Sequence, residues 1–280
     1  MSQAADLASG KGHRDENFPV ASFLLHPRHR APILAFYRFA RVADDVADSE
    51  TATPDQKLAL LADMQAALTG AGGQSPEGAE LRQVLQARGL TDQHALDLLE
   101  AFRRDVTKLR YTDWTDLIDY CRYSAAPVGR FVLDVHGEGR GAWQANDALC
   151  SALQIINHLQ DCGKDRRDLD RVYIPLDALA QVGETVEALD QPKSSPALRA
   201  VISGLARRTE DLLAIAKPFA GQIRDGRLAF EVAIIQTFAE DLARGLVRRD
   251  PLCERVHHGK GQMLGLAMLA GLRLCAGSFR

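Results

Sequence analysis

Three observations predict an all-α fold, a single-domain helical bundle around an apolar cavity, for these 280 residues. Apolar side chains recur at three- and four-residue spacing through most of the chain. No segment alternates apolar and polar residues as a half-buried strand does. Gly, Pro and Ser interrupt the pattern at helix-length intervals, without an internal repeat or a stretch long enough to tether two domains. The periodicity predicts helices over about 31–48, 55–68, 77–88, 92–108, 113–137, 142–164, 174–182, 196–217, 227–249 and 261–277.

The first of these carries Asp44-Asp45-Val46-Ala47-Asp48. At about 100° per residue, Ile33, Tyr37, Ala40 and Ala47 share a side with Asp44 and Asp48, while Phe39, Val42 and Val46 occupy the other. A helix that is apolar nearly all round is a buried one. Carboxylates on it need cations, because desolvation and mutual repulsion otherwise drive them to protonate. Arg41, one turn before Asp44, supplies one charge for three aspartates. A solvated helix end, continuing into Ser49-Glu50-Thr51, is the plain alternative.

Thr69 to Pro76 reads as a surface loop between the second and third helices, and Asp190 to Pro196 as another before the 196–217 helix. Between them, Tyr120-Cys121-Arg122-Tyr123-Ser124-Ala125-Ala126-Pro127-Val128-Gly129 mixes aromatic and small residues within one helical stretch that Pro127 should kink. Gly129 permits close approach of another helix or of a ligand, so the segment is either ordinary helix packing or one wall of a ligand cavity.

The 142–164 helix holds a second acidic motif, Asp161-Cys162-Gly163-Lys164-Asp165. Gln154, Asn157, His158, Asp161 and Asp165 form a polar stripe, and Leu149, Ile155, Ile156, Leu159 and Cys162 cover the rest. Asn157, Asp161 and Asp165 stand four residues apart, a ladder of oxygen donors on one face. Mg2+ favours oxygen donors, typically one or two carboxylates together with substrate phosphate. His158 has no second His or Cys at zinc-ligand spacing and reads as a supporting polar residue. Arg171, in the following Asp170-Arg171-Val172-Tyr173-Ile174-Pro175, has the charge to meet a phosphate, and Pro175 suits the start of the next helix. Arg166, Arg167, Asp168 and Asp170 read as solvated loop charges.

With a net charge of −3 the chain has no basic footprint for nucleic acid. Five scattered cysteines without CxxC spacing suit reduced thiols and a cytoplasmic protein. Met1 to Gly12 is polar and lacks the apolar core of a signal peptide. Met263 to Leu272 is apolar or small throughout and too short to span a bilayer. It reads as a core-packing final helix, with peripheral contact to a membrane surface as the alternative.

These pieces, in this order, resemble the squalene/phytoene synthase family of head-to-head prenyl synthases. Phe39 to Asp48, Tyr120 to Gly129, Asn157 to Asp165 and Asp170 to Pro175 carry the resemblance over roughly residues 13–250. Gly10 to Val20 and Asn157 to Cys162 look most like the bacterial hopanoid-pathway branch that makes hydroxysqualene. The resemblance implies an isoprenoid-synthase fold, with Asp44, Asp48, Asp161 and Asp165, joined by Asn157, holding Mg2+ on a diphosphate. It further implies diphosphate contacts from Arg41, Asn157, Asn17 and Arg171, and a substrate cavity with Phe18, Tyr37, Val128, Gly129 and Gln160 in its walls. Tyr123 matches a tyrosine that faces the carbocation. Gln160 departs from the family, many of whose members carry arginine there, which puts a phosphate contact at that position in doubt.

For the reaction, the resemblance implies ionisation of presqualene diphosphate, rearrangement and capture of water, without a nicotinamide. No Gly-rich dinucleotide fingerprint is present. Two alternatives stand beside it. One is a sister synthase that condenses two farnesyl or geranylgeranyl diphosphates to presqualene diphosphate, squalene, dehydrosqualene or phytoene. The other is a non-catalytic homologue serving as an assembly factor, for which four retained aspartates have no purpose.

Overall fold

Several helix starts are written locally as a proline preceded by a hydroxyl acceptor. Proline suits the first helical position because its missing N–H would lack an intrahelical partner anyway. In the computed structural model, which describes residues 26–277, α2 (Pro54–Thr69), α3 (Pro76–Arg88) and the later helix Pro196–Ala216 begin this way. Thr53, Ser75 and Ser195 cap them by accepting from the backbone N–H of Gln56, Gly78 and Leu198. The first described helix, α1 (Pro27–Asp48), also opens on proline, behind His26.

The described chain is helical as expected, and its one β-type pairing is a parallel bridge between Arg110 and Val172. It divides into two compact units. One takes the chain up to Lys108 together with Pro127–Gly139, and the other takes Leu109–Ala126 and everything from Arg140 on.

The first unit contains α1, α2, α3 and α4 (Gln93–Thr107), with nearly all of α6 (Ala126–His136), which follows α5 (Trp114–Ser124) in the chain. Leu61, Met64, Leu81 and Leu99 are fully enclosed in its core, and Phe36 of α1 stacks on Phe131 of α6 at 4.0 Å between ring centroids.

The second unit holds α5, α7 (Trp143–Gln160), α8 (Cys162–Leu169), α9 (Leu176–Gln181), α10 (Pro196–Ala216), α11 (Phe219–Gln222), α12 (Gly226–Arg248) and α13 (Lys260–Cys275). α10 packs on both α7 and α12, around Ile156, Leu198, Ile202, Ala239 and Leu246. The segment before α5 is tied to the start of α9, with Leu176 and Asp177 donating backbone N–H groups to the carbonyls of Tyr111 and Thr112.

Three expectations are corrected. The 113–137 helix is two helices, separated at Ala125, because Pro127 has no N–H to continue the ladder. The 142–164 helix likewise breaks at Asp161, whose φ and ψ of −102° and 9° leave the helical region, and α8 runs on to Leu169. Arg166, Arg167 and Asp168 are therefore helical rather than loop residues. Lastly, α13 is not a core-packing helix. Ala270 is its one buried residue, while Met263, Leu264, Met268, Leu269 and Leu272 are all exposed. None of the described helices is long and apolar enough to cross a membrane. Asn17, Phe18 and the Gly10–Val20 segment lie outside the described residues.

Candidate active site

The first acidic motif lies on the last turn of an unbroken helix. Arg41 reaches forward along α1 to bond Asp44 at 2.9 Å and Asp45 at 2.7 Å. One guanidinium thus answers two adjacent carboxylates, a geometry its planar fork permits and an ammonium would not. Asp45 is the buried member of the three, and Asp44 and Asp48 are half-buried. Burial, then the Asp48 charge, push the Asp44 carboxyl up to about 8 despite Arg41, and Asp105 and Asp45 add to the rise. The side chain keeps 36 % of its surface open to solvent, so crowding by the surrounding protein sets this direction rather than full enclosure. Tyr37 is half-buried on the same helix, Val128 is exposed on α6, and Gly129 beside it is half-buried.

The second motif sits where α7 breaks into α8, yet its ladder stays in register. The Asp161 N–H still donates to Asn157 (2.9 Å) and the Asp165 N–H to Asp161 (2.8 Å). The bend therefore leaves all three donors one turn apart while turning Asp161 out to solvent. Just beyond the bend, Gly163 lets the Leu252 side chain pack close, since a Cβ there would meet it at 2.7 Å. Partial burial and then the Asp165 charge hold the Asp161 carboxyl above the ordinary range, while Lys164, His257 and His158 oppose them.

His158 occupies the middle of an aromatic stack. Its ring lies 3.4 Å from that of Tyr173, centroid to centroid, and 6.0 Å from Tyr120, and Tyr111 backs both tyrosines. On its edges, Gln154 Nε2 is 3.0 Å from His158 Nε2, and His158 Nδ1 is 3.8 Å from an Asp165 oxygen. If Gln154 donates to Nε2, the ring proton sits on Nδ1 and faces Asp165. Tyr123 is half-buried on α5.

The turn after α8 is an anchor. Asp170 takes the left-handed backbone (φ 52°) that ends the helix, and its carboxylate binds Arg110 at 2.6 Å as well as Arg166. The hydrogen bond from Arg110, ahead of the opposing desolvation, holds the Asp170 carboxyl below its usual range. Asp170 and Arg166 are thus paired rather than simply solvated. Arg171 is buried and donates its backbone N–H to the carbonyl of Asp165. Gln160 is buried too, and its side-chain amide donates to the carbonyl of Val256, strapping the end of α7 to the segment before α13.

Two residues escaped sequence reasoning. Asp105 is buried in α4 and raises Asp44. Its signal was present: His94, Leu98, Ala101 and Asp105 form a single buried row, so a carboxylate occupies a core position. His257 acts on Asp161 from almost a hundred residues away, and its Nδ1 is buried without a partner among the described residues. Nothing in the local sequence marks it.

Oxygen donors in acidic pairs, each with one carboxyl held up by its neighbour, match the needs of a hard divalent cation. A family model of squalene/phytoene synthase matches residues 12–262. The chain belongs to the squalene/phytoene synthase family. Among relatives, it is 58 % identical to a hydroxysqualene synthase of Rhodopseudomonas palustris (92 % of this chain, 88 % of that one). It is 56 % identical to a hydroxysqualene synthase of Zymomonas mobilis, over 95 % of this chain and 91 % of that one. Family members of known structure share the fold. A squalene synthase from Alicyclobacillus acidocaldarius matches with TM-score 0.74 at 29 % identity over 88 % of this chain and 92 % of that one. A dehydrosqualene synthase solved with a ligand matches with TM-score 0.80 at 20 % identity, covering 98 % and 96 %. The expected family and all-α fold are therefore borne out.

Proposed function

We propose that this chain converts presqualene diphosphate to hydroxysqualene, in squalene and hopanoid biosynthesis. The observation that carries the reading is the state of the two acidic pairs. In each, one carboxyl (Asp44, Asp161) is held above its ordinary range by desolvation, only partial at the exposed Asp161, and by a second aspartate four residues on. A divalent cation relieves both costs at once. Names of relatives 52–58 % identical support the choice of product.

Asp44 and Asp48 in the first unit, and Asn157, Asp161 and Asp165 in the second, would hold Mg2+. When bound, Mg2+ stabilises the charge that develops on a departing diphosphate. Arg41, Asn157, Arg171 and Asn17 are proposed to bind diphosphate oxygens, Arg41 by moving part of its fork from the aspartates to the anion. As the carbon–oxygen bond breaks, the diphosphate keeps the electron pair and the carbocation rearranges. Water then adds through its oxygen and releases a proton. Phe18, Tyr37, Val128, Gly129 and Gln160 are proposed to face the isoprenoid chains and exclude bulk water. Tyr123 would present its ring quadrupole to the cation and its hydroxyl to the incoming water. The substrate is amphiphilic and the product a water-insoluble lipid, so we place the chain, a cytoplasmic protein by our reading, against a membrane surface.

Product analysis tests the reading. The pure protein is incubated with Mg2+ and either presqualene or farnesyl diphosphate, with and without NADPH, and the lipid formed is identified. Hydroxysqualene from presqualene diphosphate, unaffected by NADPH, is the expected result. Turnover of farnesyl diphosphate alone would replace it with a sister condensation.

A further inference from the structure

We infer that α13 is the element by which this chain docks on an anionic lipid surface. The inference deepens the membrane contact proposed above and does not depend on which product is made. Leu264, Met268 and Leu272 stand four residues apart and keep 66, 65 and 70 % of their surface exposed. On a helix this spacing makes a continuous stripe about 12 Å long. Gly261, Gly265 and Cys275 flank it and are likewise exposed, so the outer face carries no charged group. The polar side chains within the helix turn away from the stripe, Gln262 bonding Asp241 at 2.8 Å and Arg273 bonding Glu240 at 2.9 Å, while Lys260 stands exposed at its first residue. Small residues seat the inner face. Ala270 is fully buried, and Gly271 lies against the Phe230 ring.

Charge selects the occupant. From residue 255 to the C-terminal Arg280 the sequence contains no Asp or Glu but four Arg or Lys. Lys260, at the start of α13, and Arg255, five residues before it, are exposed. A short helix with an uncovered apolar face and basic flanks has the composition of a segment lying in the plane of an anionic bilayer. Its outer side chains enter the acyl boundary while Lys and Arg meet phosphate groups. A second copy of the chain is the poorer occupant, since a self-complementary contact sets these like-charged, acid-free segments against each other.

Vesicle co-sedimentation of the full chain, without substrate or Mg2+, tests the inference separately from the catalytic reading. The protein should bind vesicles of phosphatidylcholine mixed with phosphatidylglycerol, bind phosphatidylcholine alone far less, and release as salt rises. The triple substitution Leu264→Ser, Met268→Ser, Leu272→Ser should weaken binding at least about tenfold, and Lys260→Glu about fivefold. An environment-sensitive fluorophore on the exposed Cys275, with the other exposed cysteine changed (Cys253→Ser), should shift to the blue on vesicle addition with the stripe intact. Wild-type protein that ignores anionic vesicles, or a triple variant that binds them as well as wild type, overturns the inference. So does a wild-type dimer in sedimentation velocity that the triple variant abolishes while vesicles go unbound.

Discussion

The two acidic motifs share one spacing and solve its electrostatics differently. On α1 the helix is unbroken, and the countercharge comes from the same helix, as Arg41 clasps Asp44 and Asp45. At the α7–α8 junction the helix bends, Asp161 faces solvent, and relief comes from side chains distributed through its own unit, Lys164, His257 and His158. The first motif resembles a loaded spring held by one clip. The second is a partly exposed set of oxygen donors beside the His158–Tyr173 stack. The difference teaches that a pair of carboxylates four residues apart specifies a shared face and not how the charge is balanced.

The comparison breaks most severely when one carboxylate is neutralised in either motif. Asp44→Asn and Asp161→Asn should each lower turnover by at least about 100-fold. Raising Mg2+ should rescue the Asp161 variant better, because that site is the more exposed. Steady-state rates over a Mg2+ series measure this, and equal, unrescuable losses would remove the distinction.

Next in size is the contrast between neighbours Asp44 and Asp45. Asp45→Ala removes a buried partner of Arg41 and should cost about 1–3 kcal/mol of stability, read from urea midpoints. Asp44→Asn should do the opposite without metal. With its carboxyl near 8 in the folded chain, against the ordinary 3.8, the folded state binds more protons than the unfolded one between those values. Wild-type stability therefore falls as pH rises from about 4 to 8. The Asn variant lacks that fall, matching wild type at about pH 4 and below and exceeding it increasingly toward pH 8. A wild-type advantage at pH 8 would reverse the assignment.

His158 gives a sharper test of the second motif. His158→Phe keeps the stack on Tyr173 and loses the N–H facing Asp165, whereas His158→Asn keeps a donor and loses the stack. If the edge matters, Phe should raise the Mg2+ concentration for half-maximal activity about three- to tenfold and Asn should restore it partly. Calorimetric titration with Mg2+ and inorganic diphosphate should show the same order. The smallest effect is expected at the α8 anchor. Asp170 is largely exposed, so Arg110→Ala should cost less than about 1 kcal/mol, seen as a thermal-midpoint shift of a few degrees at most.

Much of the fold was legible because helix periodicity and proline starts are local. The α1, α2, α3 and α10 boundaries fall within a few residues of those predicted. Pro127 signalled an interruption near Ala125 but not a full break, and the break at Asp161 had no such signal, since apolar periodicity continues through both. Of the site, the ladder from Asn157 to Asp165 was legible in register. The bend that exposes Asp161 was not, because neither Gly nor Pro stands at that position and the apolar periodicity runs through it. For α13, an apolar composition suits a core and a lipid surface equally.

By itself the sequence determined the helices, the shared faces of Asp44 with Asp48 and of Asp161 with Asp165, and the order of motifs that marks the family. Each follows from covalent neighbours and the fixed rise and rotation of an α-helix. Tertiary structure decided which carboxylate is enclosed, that Asp105 crowds Asp44 within the first unit, that Gln160 is tied to Val256 and His158 to Tyr173 within the second, and that one face of α13 stays uncovered. Burial and charge balance depend on groups distant in the chain, and no window of sequence contains them.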